Sequence, residues 1–202
     1  MPITKEDRAA IAAAIRAAEQ RTSGQIVCVL MRSSSEYFYV PVLWAALLAL
    51  ITPWPLIMLT LWSVQRIFLL QVVVFAAAVT LLSWPRLRIA LVPRAVRRAR
   101  AHRAAVEQFF ARGLTATRDR TGVLIFVSLA ERYARIIADE GIAAKVSNRE
   151  WQEAIDALTA HMRDGRIVQG FIAAIERCGA VLAVHAPPTG AGDELPDRIY
   201  VM

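Results

Sequence analysis

The chain has 202 residues, of which 56% are hydrophobic and 20% are charged, and its formal net charge is +7 at pH 7. Eight of its 24 Lys and Arg lie between Tyr37 and Val106, a stretch of seventy residues without Asp or Glu, leaving 16 basic against 17 acidic residues elsewhere. This distribution excludes a basic surface spread over the whole protein. It predicts one soluble domain that is interrupted by a membrane segment.

Residues 1–36 predict a helix and then a buried strand, as the first part of the domain. Thr4 and Asp7 have the spacing of a capping box, and an apolar stripe follows at helical intervals. Its members are Ile11, Ile15 and Ala18. The apolar run Ile26–Met31 is typical of a strand that is covered on both faces. Ser33–Ser35 then forms a loop toward the membrane segment. The first helix is Ala-rich and charged, so it does not resemble the apolar core of a signal peptide.

Residues 37–86 predict a transmembrane helical hairpin with spans at about 41–64 and 67–84. At a rise of about 1.5 Å per residue, the first run can cross a hydrocarbon core of about 30 Å, and the second is near the lower length limit. Only Gln65 and Arg66 separate the two runs. Pro53 and Pro55 predict a kink in the first span, because proline removes a backbone donor.

No Asp, Glu, Lys or Arg lies within either predicted span. Transport and proton relay need ionisable groups inside the membrane. The hairpin is therefore interpreted as an anchor, or as a helix pair that binds a partner. Two crossings return the chain to the side from which it started, so the two soluble parts can meet.

A run of arginines follows the second span, and residues 87–106 predict a basic membrane-proximal helix. The arginines are Arg86, Arg88, Arg94, Arg97, Arg98, Arg100 and Arg103. The positive-inside rule places this flank, both termini and the soluble domain in the cytoplasm, as expected for a protein of a bacterial inner membrane. Because no aromatic residues are interleaved and a span is close by, we expect these side chains to bind anionic lipid headgroups and not nucleic acid.

Residues 107–188 predict the second part of the domain. Val123–Val127 has the pattern of a buried strand, and Arg135–Ala138 predicts a third strand that forms an antiparallel hairpin with it. Ser147 and Glu150 form a second capping-box signature, and a last long helix covers Ile167–Val184. Residues 189–202 form a C-terminal tail, whose end is a candidate edge strand. The fold class is therefore α/β, with a single central sheet sandwiched by helices and an inserted two-span transmembrane helical hairpin.

At this point the sequence resembles the TPM-domain family, and both soluble parts contribute to the resemblance. The matching stretches are Glu19–Gly24, Gln25–Val29, Thr121–Val127, Glu131-Arg132, Ile136–Ile142 and Met162–Gly165, in this order. Typical members carry a signal peptide and a terminal anchor and face a lumen or periplasm, whereas this chain has a hairpin inserted after its first strand. The resemblance implies a role in the assembly or repair of membrane complexes.

Few residues are available for catalysis. His102, His161 and His185 lack metal-ligand spacing, and no P-loop, dinucleotide or nucleophile-elbow motif is present. Cys28 and Cys178 are also not in a zinc-type spacing, and we expect both to be buried.

One acidic cluster is a candidate metal site: Asp119, Asp139 and Glu140, at the ends of neighbouring predicted strands. Carboxylates brought together by such loops bind hard divalent cations. Some TPM-domain members are associated with calcium binding and acid-phosphatase activity, so the resemblance implies calcium or another divalent cation here. The alternative is structural, since Arg118 and Arg120 flank Asp119 and the other two acids also fit a turn.

The function that we infer from the sequence is a membrane-anchored TPM-like accessory module. It would not itself be catalytic and would assist another membrane protein or bind a second copy of itself. The alternative is a divalent-metal-dependent phosphatase, in which the acidic cluster holds a cation that polarises a phosphoryl oxygen.

Overall fold

A computed structural model describes residues 3–34, 39–188 and 195–202, apart from the side chains of Pro85, Arg86 and Arg88. The predicted entry loop at Ser35 and the predicted domain boundary at 36/37 lie outside these ranges. The chain divides into two compact units: residues 1–34 with 100–202, and residues 35–99.

The first unit contains one mixed four-stranded sheet with the strand order β3-β2-β1-β4. The strands are β1 (Gln25–Met31), β2 (Gly122–Ser128), β3 (Tyr133–Ala138) and β4 (Ile199–Val201). β1 pairs in parallel with both β2 and β4, and β2 pairs antiparallel with β3. This confirms the antiparallel hairpin. It also shows that the C-terminal tail supplies an edge strand.

In the described part of this unit, five α-helices lie wholly or partly within it and cover the sheet. They are α1 (Lys5–Glu19), α6 (Arg94–Ala111), α7 (Glu140–Ala143), α8 (Asn148–Arg163) and α9 (Ile167–His185), and a 3₁₀ turn covers Leu114–Ala116. The unit boundary falls within α6. Capping boxes begin α1 at Thr4 and α8 at Ser147, as the sequence predicts.

Alternate strand residues face opposite sides of the sheet, which divides the core in two. Ile26, Cys28 and Leu30 pack with α1, α8 and α9. Val27 and Val29 pack on the other side with Phe109 of α6 and Leu114. Both faces of β1 are therefore buried, which explains its continuous apolar run. The α/β sandwich is confirmed.

The second unit consists of apolar helices whose bounds differ from the prediction. They are α2 (Tyr39–Ile51), α3 (Pro53–Leu59) and α4 (Val64–Leu82), which together we call the apolar hairpin, and α5 (Pro85–Ala90) follows. The predicted tip at Gln65-Arg66 was wrong, because Thr60–Ser63 separates the two helical arms and Gln65 lies in the first turn of α4. The first arm is interrupted at Thr52, directly before Pro53, as the prolines predict.

The apolar hairpin has a surface of large hydrophobic side chains, such as Leu59 and Val64, which are 82% and 81% exposed. The hydroxyls of Thr52 and Thr80 donate hydrogen bonds of 2.8 Å to the carbonyls of Leu48 and Ala76, one turn earlier. These bonds give each hydroxyl an acceptor within its own helix, which a hydrocarbon environment could not provide.

Three described helical segments are long and apolar enough to cross a membrane: Tyr39–Leu59, Val64–Leu82 and Ile167–His185. The third is α9, whose side chains Phe171, Ile175 and Leu182 lie in the core of the first unit. Its apolar composition is therefore explained by packing against α1 and α8.

The predicted basic helix 87–106 is divided in the structure. α5 ends at Ala90 and α6 begins at Arg94. Pro93 separates them, because it lacks a backbone donor and disfavours helical geometry at Val92. The prediction of one helix over 87–106 thus missed the break at Pro93.

Candidate functional site

The three predicted metal-ligand residues lie around the turn that precedes β2 and the end of β3. Asp139 is 4% exposed, and its Oδ2 accepts a hydrogen bond of 2.8 Å from Nε of Arg120. A second bond of 3.1 Å joins Nη2 of Arg120 to Oδ1. Nη2 also lies 3.3 Å from Oε2 of Glu140. The structure therefore brings two of the predicted acids to the same guanidinium, and the paired carboxylates raise the pKa of Arg120.

Asp139 also begins a helix. Its Oδ1 accepts a hydrogen bond of 2.8 Å from the backbone N–H of Glu140, which caps α7. Gly141 in that first turn donates its N–H to the carbonyl of Arg120 at 2.9 Å. A side chain at Gly141 would collide with the backbone oxygens of Asp119 and Arg120. The end of β3 and the start of β2 are thus fastened together by backbone packing and an ion pair.

Asp119, the third predicted ligand, is exposed. Among residues 3–34, 39–188 and 195–202, no group of three or more His, Cys, Asp or Glu side chains is arranged to hold a metal ion. The cation near Asp139 in this structure is a guanidinium. Divalent-metal binding, and the phosphatase alternative that depends on it, stay predictions.

A second acidic residue, Glu131, is nearly buried in the turn between β2 and β3, with 6% exposure. Its carboxylate accepts a hydrogen bond from the hydroxyl of Ser128, and others of 3.2 Å from Oγ of Ser33 and 3.1 Å from the backbone N–H of Ser34. We call this arrangement the Glu131 clamp. It ties the loop that follows β1 to the turn that follows β2.

The sequence analysis named Glu131 only as part of a family motif. The available signal was an acid three residues after the end of a buried strand, together with hydroxyl residues after the neighbouring parallel strand. The carboxyl ends of parallel neighbours meet at one edge of a sheet, so these groups can come together.

A cavity of about 570 Å³ opens beside the clamp, and we call it the strand-end pocket. Its lining includes Ser128, Arg132, Tyr133, Ala134, Thr159 and Arg163. The carboxyl ends of strands are where ligands bind in many open α/β sheets. The pocket thus has the position of a binding site and a lining that includes hydroxyl and guanidinium groups.

The two arginines of the strand-end pocket are available to a ligand. Arg132 has a positive φ of 50°, and its backbone N–H donates to the carbonyl of Leu129 at 3.2 Å. In the part of the chain that the structure describes, neither guanidinium forms an ion pair. Both side chains are exposed. Two exposed guanidinium groups without a described ion-pair partner favour an anionic ligand.

At its N-terminal end, opposite Arg163, helix α8 is stabilised by hydrogen bonds to the carboxylate of Glu150. The hydroxyl of Ser147 donates to Oε2 of Glu150 at 2.8 Å, and its backbone N–H donates at 2.9 Å. These bonds lower the pKa of Glu150, and His185 at 3.8 Å acts in the same direction. This carboxylate therefore has a structural role.

The two cysteines are free and buried, as predicted. Burial raises the pKa of the Cys28 thiol well above its ordinary value. A thiol that stays protonated is a poor nucleophile. Cys28 therefore fills the core as a small apolar side chain.

The arginine run is distributed over α5 and α6. Arg94, Arg98 and Arg103 are exposed, and Arg97 and Arg100 are half-buried. The side chains of Arg86 and Arg88 lie outside the described part. The second half of α6 buries Ala101, Ala104 and Ala105, which explains why basic residues become rarer toward its C-terminal end.

Comparison with known sequences finds a match to one family over part of the chain. The sequence model of the TPM domain matches residues 85–181, from α5 to near the end of α9. This part of the chain is therefore similar to a TPM domain. The match begins directly after the apolar hairpin and contains the Asp139–Arg120 pair, the Glu131 clamp residue and the whole strand-end pocket. α1 and β1, on the other side of the insertion, lie outside the matched range.

A solved structure supports the fold. The NMR structure of the BA42 protein from the psychrophilic bacterium Bizionia argentinensis is similar with a TM-score of 0.64 and 23% sequence identity, over 100% of this chain and 97% of that protein. At this identity the similarity shows the fold alone. No curated protein sequence matches the chain.

Proposed function

We propose that this protein is a membrane-anchored TPM module that binds and assists another membrane protein. In this proposal the apolar hairpin crosses the bilayer twice, and the α/β unit is held at the cytoplasmic face. The module acts by binding and not by catalysis. Its partner is a membrane protein or a second copy of the chain.

One observation carries the proposal: two apolar helical arms form a compact unit of their own, inserted between β1 and β2 of a TPM fold. Their large side chains are mostly exposed, in contrast to the buried apolar side chains of α9. Exposed apolar surface of this extent favours contact with lipid. The core position of α9 favours two spans over three.

The arginines of α5 and α6 support both the orientation and a lipid contact. Seven arginines follow the second arm without an intervening acid. Such a flank is retained in the cytoplasm, and each basic residue near an anionic surface contributes about 1 kcal/mol to membrane binding. We therefore propose anionic headgroups as ligands of the arginine run.

A pair of reporter fusions tests the topology. Green fluorescent protein fused after Met202 should be fluorescent, and alkaline phosphatase at the same place should be inactive, because its folding requires the periplasm. Deleting residues 64–82, the second arm, should reverse both results in the control. Active alkaline phosphatase on the undeleted chain would overturn the cytoplasmic orientation, and fractionation of the chain as a soluble protein would overturn the anchor.

The binding role is tested by cross-linking in native membranes. A photoreactive residue placed on the exposed surface of the α/β unit should give a discrete adduct that is absent without irradiation. A second photoreactive position in the same unit, such as Arg177 on the exposed surface of α9, shows whether the adduct depends on the position of the probe. If no surface position of the unit yields an adduct with a membrane protein or a second copy, the accessory role is wrong.

A further inference from the structure

We propose that the strand-end pocket and the outer edge of β3 together bind an extended acidic segment of the partner. This inference rests on the proposed function, because it names the chemistry by which the module would recognise another protein. It assigns a partner-binding surface to residues that the Asp139 cluster does not include.

The edge of the sheet supplies the backbone half of the site. β3 is the outermost strand beside β2, and no described strand pairs with its other side. The N–H of Asp139 donates to the carbonyl of Gly122, so alternate residues of β3 direct their backbone groups toward β2. Ala134 and Ile136 fall on the opposite phase. Their N–H and C=O groups therefore point outward and can pair with an added strand.

The strand-end pocket supplies the charged half. It is continuous with the edge, because Tyr133 and Ala134 both line the pocket and begin β3. An added strand that pairs along β3 would place its end beside Arg132 and Arg163. A guanidinium can bind a carboxylate through two parallel hydrogen bonds. Successive side chains of the added strand would then point to opposite faces of the sheet, and every second one would lie on the face that contains the pocket.

The charges around the pocket agree with an acidic ligand. The carboxylate of Glu131 is directed to Ser33, Ser34 and Ser128 and is occupied by their donors. On α8, Asp156 accepts a hydrogen bond of 2.9 Å from Gln152. Asp164, after the end of α8, pairs with Arg166 at 2.7 Å. None of these described acids forms an ion pair with Arg132 or Arg163, so the two pocket arginines are left for a ligand.

A cavity of about 570 Å³ is large enough for a side chain together with part of a backbone, within the range of about 300–1,000 Å³ that ligand sites occupy. A small free anion would use only the guanidinium groups. A peptide would use the guanidinium groups and the edge of β3. This difference separates the two ligand classes experimentally.

The test measures binding of a fluorescent peptide of alternating valine and glutamate to the full-length protein in detergent, by anisotropy. A peptide with lysine in place of glutamate is the charge control. The double variant Arg132→Gln/Arg163→Gln should weaken binding at least about tenfold, which corresponds to 1.4 kcal/mol or more. Arg177→Gln, an exposed arginine on α9, is the matched control and should bind like the parent.

A second variant tests the strand edge. Ala134→Pro removes an outward N–H, and proline is tolerated on edge strands whose donor faces solvent. We expect it to weaken peptide binding while the domain still unfolds cooperatively. If Ala134→Pro binds the peptide like the parent, and inorganic phosphate displaces the peptide, the pocket takes a small anion and the inference is overturned. Equal binding of the valine–lysine peptide would overturn it as well.

Failure of this inference can be told from failure of the proposed function. If membrane cross-links to a partner persist unchanged in Arg132→Gln/Arg163→Gln, the partner binds elsewhere and only the inference is wrong. If the parent gives no cross-links, the accessory role itself is wrong. Loss of cross-links in the double variant, with retention in Arg177→Gln, is the result that we expect.

Discussion

The Glu131 clamp gives the sharpest test of how this fold is stabilised. Replacing Glu131 with alanine removes the acceptor for the buried hydroxyl of Ser128, for Oγ of Ser33 and for the N–H of Ser34. A hydrogen bond to a charged group contributes about 1.5–3 kcal/mol, and a buried donor left without a partner costs about 1–3 kcal/mol. The alanine variant no longer buries a carboxylate, which offsets part of this loss.

We therefore expect Glu131→Ala to lower the free energy of unfolding by about 3 kcal/mol. Glu131→Gln keeps the shape and one acceptor oxygen, so about half of that loss is expected. Glu153→Ala is the matched control, because its carboxylate is 54% exposed and pairs with Arg149 on the surface of α8. Such exposed pairs contribute about 0–1 kcal/mol.

The assay is urea unfolding of the detergent-solubilised chain, followed by tryptophan fluorescence. Trp151, at 9% exposure, lies in the core of the α/β unit. The other tryptophans are Trp44, Trp54, Trp62 and Trp84, and replacing them with Phe leaves a signal from that unit alone. The variants are compared by their unfolding midpoints at equal slope.

A double-mutant cycle with Ser128→Ala isolates the central contact. Because Ser128 is fully buried and donates to Glu131, the coupling between the two substitutions should exceed about 1 kcal/mol. If Glu131→Ala unfolds within about 0.5 kcal/mol of the parent, or if the two effects simply add, the clamp does not stabilise the fold.

Three further predictions concern charge, backbone packing and cations. Glu150→Gln should lower the free energy of unfolding at pH 7 relative to the parent, because hydrogen bonds from Ser147 lower the pKa of Glu150. That contribution is present above the unfolded pKa of about 4.3 and is lost as the pH falls through the lower folded value, so a difference that persists at pH 2 would contradict it. Gly141→Ala should cost at least about 3 kcal/mol by collision with backbone, whereas Gly165→Ala meets no atom within 4 Å and should cost about 1 kcal/mol from its positive φ. Thermal unfolding with millimolar calcium, magnesium or manganese should show a saturable rise that Asp139→Asn abolishes, if the predicted metal site exists; no rise would remove that prediction.

The elements with strong local signals were predictable from the sequence. β1 and β2 appear as continuous apolar runs because both of their faces are buried. The start of α8 was predictable because both hydrogen bonds of its capping box join Ser147 and Glu150, which lie within four residues of sequence. Periodicity and capping act over a few neighbours, so one sequence contains them in full.

Features that depend on distant residues were not predictable. Ser33 and Glu131 are separated by 98 positions in the sequence, and Arg120 and Asp139 by 19. No periodic sequence pattern connects residues at these separations. The strand-end pocket has the same origin, since α8 and the β2–β3 turn meet only in the folded chain. The tip of the apolar hairpin was misplaced for a different reason: Leu61 and Trp62, within the loop, are as apolar as the helices beside them.

The position of the insertion follows from the topology of the sheet. β1 and β2 are parallel neighbours, so the chain must return from the end of one strand to the start of the other through a crossover. Part of α6 covers one face of the sheet within this connection, as a crossover helix does. The apolar hairpin precedes α6 in the same connection, so it lengthens a link that the fold already requires.

An insertion at any tight turn would act differently. The β2–β3 turn contains the buried carboxylate of Glu131, and extra residues there would separate it from Ser128. Loop-closure entropy grows only slowly with length, so a long excursion in a crossover costs the domain little. In the proposed two-span topology, an even number of arms also returns the chain to the side on which β1 ends. The α/β unit can therefore contain the apolar hairpin in this connection without losing a strand pair of its sheet.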